Sequence, residues 1–144
     1  MRTRKLAGVW IDSSKAVITT LEGHESVTTV LESDIEGVER VEGEGRPAGR
    51  FGDQFVVNER SKEVRRDDAE KDFCSRVAEQ LKDADQLLIF GPAHMKSKLE
   101  STIKGMTPPV PNIRAVEAAD SMTDNQAATY VREFFGRSGM AANF

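Results

Sequence analysis

The stretch from Asp85 to Ile103, D-Q-L-L-I-F-G-P-A-H-M-K-S-K-L-E-S-T-I, narrows the architectures open to this chain more than any other. Leu87, Leu88, Ile89 and Phe90 form an unbroken apolar run, the pattern of a strand buried on both faces, although periodicity alone also fits a helix fragment. Gly91-Pro92 stops the run. Glycine permits a tight turn, and proline suits the first turn of a helix. Met95, Leu99 and Ile103 then recur every four residues, which places them on one helical face. A buried strand, a Gly-Pro turn and an amphipathic helix make half of a βα unit.

The segments before and after supply the rest of a sheet. Leu6 to Asp12, Ala16 to Leu21 and Ser26 to Leu31 read as three strands rich in β-branched residues. The turns between them, Ser13-Ser14-Lys15 and Glu22-Gly23-His24-Glu25, are short and polar, as in an antiparallel meander. From Ser61 to Lys82 the pattern is helical, with Ala69, Phe73, Val77 and Leu81 at intervals of four and Cys74 and Ala78 widening the stripe. Gly105 is a plausible stop for the Gly-Pro helix, and Pro108, Pro109 and Pro111 force an extended connection. Asn112 to Val116 is a fifth strand. Thr123-Asp124-Asn125-Gln126 has the form of a capping box opening a last helix, which Gly136 should end.

This order predicts an α/β domain of ribonuclease H-like topology over residues 1–136. Its mixed five-stranded sheet combines a three-strand antiparallel meander with two parallel strands, and three main helices pack on it. Residues 137–144 read as a flexible tail, and residues 32–60 as a long loop. Loops of that length in compact domains are usually functional or disordered.

The loop holds five of the eleven glycines, and its charge is segregated. Glu32 to Gly45 carries six acids and one base, whereas Arg46 to Arg66 carries six bases (Arg46, Arg50, Arg60, Lys62, Arg65, Arg66) against three acids. Cations on such a segment contact phosphates without reading sequence. The plain alternative is a solvated charged loop. The net charge of -4 gives no global nucleic-acid signature, so binding must be local.

Other residues invite chemistry and have simpler readings. Asp12 at the end of the first strand suits a Mg²⁺-dependent nuclease, but needs further acids converging on it; otherwise Asp12-Ser13-Ser14 is a turn. Lys96 and Lys98 near Gly91-Pro92 suggest an anion site, yet the Gly-Lys-Ser/Thr of a P-loop is missing. His24 and His94 have no second histidine at helical spacing, so no metal site is expected. Cys74 beside Phe73 reads as a buried small hydrophobe, and Trp10, which could serve as an aromatic platform for RNA, reads in mid-strand as core or half-buried. A single cysteine excludes an internal disulfide and, with no signal-peptide h-region in view, suggests the cytoplasm. No run approaches the ~18 apolar residues of a membrane span, so no membrane partner is expected. No cofactor motif is found.

Four stretches together resemble a known family: G-V-W-I-D-S-S-K-A-V-I, R-R-D-D-A-E-K-D-F-C-S-R-V-A-E-Q-L, L-L-I-F-G-P-A-H-M-K-S-K-L and M-T-D-N-Q-A-A-T-Y-V-R-E-F-F. In order and spacing, from Ala7 to Phe135, they resemble the middle domain of the class-1 peptide-chain release factors of eukaryotes and archaea and of their relative Pelota. In size the chain is similar to stand-alone bacterial relatives of that domain. The resemblance implies a translation-associated protein whose partner is the ribosome or tRNA. In release factors a Gly-Gly-Gln loop tip promotes peptidyl-tRNA hydrolysis. The matching residues here are Gly52, Asp53 and Gln54, with Gln54 the one candidate for positioning water. Asp53 replaces a glycine where backbone must approach RNA closely, and it adds negative charge, so full hydrolytic activity is not expected. Pelota lacks the tripeptide altogether. Two alternatives stay open at this point: the Asp12 nuclease, and a non-catalytic protein-interaction module. Oligomeric state is open.

Overall fold

The structure is a computed structural model that describes residues 4–35 and 52–137, the side chains of 52–60 excepted. The chain runs β1 (Lys5–Ile11), β2 (Lys15–Glu22), β3 (Glu25–Glu32), α1 (Gly52–Leu81), β4 (Gln86–Gly91), α2 (Met95–Lys104), β5 (Asn112–Ala118) and α3 (Asp124–Arg137). The strands form one sheet in the order β3-β2-β1-β4-β5. β1, β2 and β3 are antiparallel neighbours, and β4 and β5 run parallel to β1. This is the mixed α/β sheet of ribonuclease H-like order that the sequence pattern predicts.

The central strands are apolar on both faces because both faces are covered. Ala7, Val9 and Ile11 join Leu87 and Ile89 under α1 and α2, packing on Phe73, Cys74, Val77, Leu81, Met95, Leu99 and Ile103. Leu6 and Trp10 join Val17, Leu21, Leu88 and Phe90 under α3, against Ala127, Val131 and Phe135. Each fully buried large side chain contributes roughly 1.5–3 kcal/mol by leaving water. Trp10 is core, as read from its mid-strand position, and its indole N–H donates to the Asp120 carbonyl at 3.0 Å.

Gly8 lies between Leu6 and Trp10 on the α3 face. A Cβ there would sit 2.3 Å from Val131 Cγ2 and 2.8 Å from Cγ1. The absence of a side chain lets α3 approach β1. Gly8→Ala should therefore destabilise the fold by about 1–3 kcal/mol, the usual cost of overpacking. Chemical denaturation will show it, and the double change Gly8→Ala/Val131→Ala should recover part of the loss by making room. A single variant as stable as the parent would mean that α3 is not seated on β1 at this point.

The capping box is present. Gln126 N–H donates to Thr123 Oγ1 at 3.1 Å, and Thr123 N–H to Gln126 Oε1 at 2.9 Å, which satisfies two donors at the α3 N-terminus. Several boundaries differ from the sequence reading: β5 extends past Val116 to Ala118, and α3 runs through Gly136 to Arg137. Pro92 lies outside α2, which begins at Met95 with His94 as its N-cap. The larger change is that α1 begins at Gly52 rather than Ser61, so residues 52–60, read as loop, are helical. Phe55, Val56 and Val57, whose types favour a short strand or a pinning contact within the loop, lie in this helix. At 30 residues α1 is about 45 Å long, whereas strands of seven or eight residues span only about 25 Å. Among its described side chains, those buried in the core lie between Glu70 and Leu81.

Candidate nucleic-acid interface

The first half of α1 carries most of the basic residues singled out from sequence. Arg46 and Arg50 lie outside the described residues. Gly52, Asp53 and Gln54 form the opening turn of the helix rather than a loop tip. Arg60 follows on the same helix. Lys62 is half-buried, Arg65 is exposed and Arg66 is half-buried. Thus the helix gathers Arg60, Lys62, Arg65 and Arg66 within two turns, ahead of its apolar stripe. A helix holds cations at fixed spacing, which suits a phosphate backbone better than a slack chain does, because less ordering entropy is lost on binding.

Arg66 is engaged within the protein. Arg66 Nε lies 3.4 Å from Glu70 Oε2, one turn along the helix. Glu70 is almost fully buried, and it joins α1 to α2: its Oε1 accepts from Lys98 Nζ at 2.8 Å, and its Oε2 lies 2.9 Å from His94 Nε2. Lys98 Nζ also donates to Asp67 Oδ1 at 2.6 Å, and Lys71 pairs with Asp67 Oδ2 at 3.1 Å. Burial alone would raise the Glu70 carboxyl. The hydrogen bonds from Lys98 and His94, with their charges, outweigh it and hold the group below its ordinary value. The Lys98 ammonium is likewise pushed down by burial, but its bonds to Asp67 and Glu70 prevail and raise it. Asp67 is lowered, chiefly by its hydrogen bonds from Lys98 and Lys71. This cluster locks α2 to α1 where the apolar stripe of α1 gives way to charge.

Sequence reading missed the cluster because its members are far apart in the chain. One signal was available: Glu70 lies one turn before Cys74 on the apolar stripe of α1, and an acid at a core-facing position needs a cation from another element. Lys98 is therefore engaged by carboxylates rather than aimed at the Gly91-Pro92 turn, and Lys96 folds back to donate to the Ala93 carbonyl. The turn itself is unusual in backbone, with Gly91 at φ 148° and Ala93 at φ 54°.

The remaining candidates resolve simply. Asp12 Oδ1 accepts the N–H groups of Ser14 and Lys15 at 2.8 and 2.9 Å, so its carboxylate holds the β1–β2 turn. Among the described residues no three His, Cys, Asp or Glu side chains are grouped to hold a metal ion. The nuclease reading needs converging carboxylates, and the described residues supply no such group. Cys74 is buried, and loss of solvent pushes its thiol up to about 11, which leaves it unreactive as a nucleophile. His24 is exposed in the β2–β3 hairpin turn. Among the described residues no helix is long and apolar enough to cross a membrane.

Comparison with known proteins places the fold. No family model matches the chain, and no curated protein matches it in sequence. Among solved structures it is similar to an archaeal translation termination factor, with a TM-score of 0.50 and 15% identity over 96% of this chain and 37% of that one. It is also similar to the Pelota protein of Thermoplasma acidophilum, with a TM-score of 0.47 and 16% identity over 99% of this chain and 36% of that one. The chain thus spans little more than a third of the length of either. The first of these likenesses establishes a shared fold.

Proposed function

We propose that this chain acts in translation by contacting ribosomal RNA or tRNA through the basic stretch from Arg46 to Arg66. The observation that carries the reading is the position of that stretch. It leads into and forms the first half of α1, in a fold shared with a translation termination factor. In this reading Arg46, Arg50, Arg60, Lys62 and Arg65 contact phosphates, while Arg66 is steadied by Glu70 and shapes the surface. Gly52, Asp53 and Gln54 lie at the end that approaches RNA most closely. Gln54 is the residue to position water in any hydrolysis, and Asp53 in place of a glycine makes binding without full hydrolysis the expected behaviour. The chain acts in the cytoplasm, with residues 1–136 as a folded unit.

Phosphate binding releases counterions, so affinity must fall steeply with salt. The protein should co-sediment with ribosomes at low ionic strength and leave them as salt is raised. Its absence from every ribosomal fraction, whatever the salt, would remove this reading.

A further inference from the structure

The two edges of the sheet are protected very differently. β5 at one edge is preceded by Pro108, Pro109 and Pro111. Its register against β4 jumps from Leu87↔Ile113 to Leu88↔Ala115, leaving Arg114 as an exposed bulge residue. Proline, a bulge and a charge are the usual devices that stop an edge from pairing. β3 at the other edge has none of them between its terminal glutamates. Ser26 to Leu31 is uncharged and mostly β-branched, and its register against β2 is unbroken. Its residues are exposed on both faces except Leu31, which is half-buried against the α1-side core. Val27 and Val30 are 57% and 39% exposed.

We propose that β3 pairs antiparallel with β3 of a second copy of this chain, joining two five-stranded sheets into one of ten strands. The hairpin fixes which groups face outward. Glu22 and Glu25 close a two-residue turn with Gly23 at φ 63°, and the pair closing such a turn exchanges both backbone hydrogen bonds. Bonded and non-bonded pairs then alternate, so Thr19↔Thr28 is a non-bonded pair. Such pairs bring side chains close, and the two hydroxyls lie 3.3 Å apart. Ser26, Thr28, Val30 and Glu32 therefore direct their N–H and C=O groups to the outer edge, where no strand among the described residues pairs with them.

A twofold axis must bring outward residues opposite outward residues. Centring it on Thr28 overlaps the strand from end to end and sets His24 against Glu32. Centring it on Thr29 overlaps about as much but sets Glu32 against Ser26, so charge favours Thr28. Centring it on Val30 or Ser26 leaves much of the strand unpaired. The Thr28 register places Thr28 opposite its own copy, Ser26 opposite Val30, and Val27 opposite Thr29. His24 stands opposite Glu32 at both ends, and no like charges face each other. Val27 and Leu31 of each chain meet diagonally on the α1 face, which covers the more exposed of the two valines. An interface of one strand per chain is small, so the dimer should dissociate on dilution.

Sedimentation velocity on the full chain over a dilution series should show a monomer–dimer equilibrium. Val27→Lys, which sets like charges diagonally across the axis at an exposed position, should weaken dimerisation roughly tenfold. Thr28→Cys tests the register. Bonded antiparallel pairs have Cα atoms about 5.5 Å apart, within disulfide reach, so oxidation should give a covalent dimer. Glu25→Cys, opposite Leu31, should not, and the native Cys74 is buried and silent. A monomer at every concentration, or equal cross-linking of the Thr28 and Glu25 variants, would overturn the proposal.

Discussion

Gly91→Ala should destabilise this protein by roughly 3 kcal/mol or more, as a lowered denaturation midpoint with little change in slope. Two costs coincide at this residue. Its φ of 148° is open to glycine and strained for any L side chain. A Cβ there would also lie 2.3 Å from the carbonyl oxygen of Ile11. That atom belongs to the backbone of the central strand and cannot rotate away as a side chain can. At Gly8 the obstacle is a valine side chain, which is why the smaller figure applies there. The Gly91 position matters beyond stability: its carbonyl accepts from Ala119 N–H, tying the end of β4 to the segment after β5. A Gly91→Ala variant within about 0.5 kcal/mol of the parent would contradict this close approach of β4 and β1.

Glu70→Ala should cost about 2 kcal/mol, because it strips a buried carboxylate from Lys98, His94 and Arg66 together. The figure lies below that for a fully buried pair because His94 and Lys98 reach solvent and Lys98 keeps Asp67. The pH dependence follows from the direction of the shifts. Glu70 is held below its ordinary value of 4.5 in the folded protein. Its stabilisation is present above that pH and is lost as pH falls through the folded value. Asp67, also lowered, adds to the same acid limb. Lys98 is raised above its ordinary 10.5, so its contribution is present below that pH and fades as pH rises through the folded value. Glu70→Gln should therefore flatten the acid limb most and also shrink the alkaline one, because Lys98 then keeps only Asp67 as a charged partner. Denaturant titrations at a series of pH values measure this directly. An unchanged acid limb in Glu70→Gln would show that the cluster does not bind α2 to α1 as described.

Much of this molecule was legible because its signals are local. The apolar runs of β1 and β4, the short polar turns of the meander and the Thr123–Gln126 box each lie within a few neighbouring residues, and each formed as read. The start of α1 was not legible. Gly49, Gly52 and the β-branched pair Val56-Val57 favour loop or strand by propensity, and the helix runs through the latter three all the same. The Glu70 cluster was legible only in part, for the opposite reason: Glu70 on the apolar stripe called for a cation, but its partners come from another helix and acquire their meaning only when α2 docks. The basic residues were found by composition, but which of them the protein engages itself, as Glu70 engages Arg66, is a matter of packing.

The direct test of the proposed role is the salt dependence of ribosome or tRNA binding by the native chain and by Lys62→Glu/Arg65→Glu. If these side chains meet phosphates, log affinity falls linearly with log salt for the native chain. The variant binds more weakly with a slope shallower by about two, one for each lost contact. Equal slopes for the two proteins would contradict the assignment of the first half of α1 to RNA.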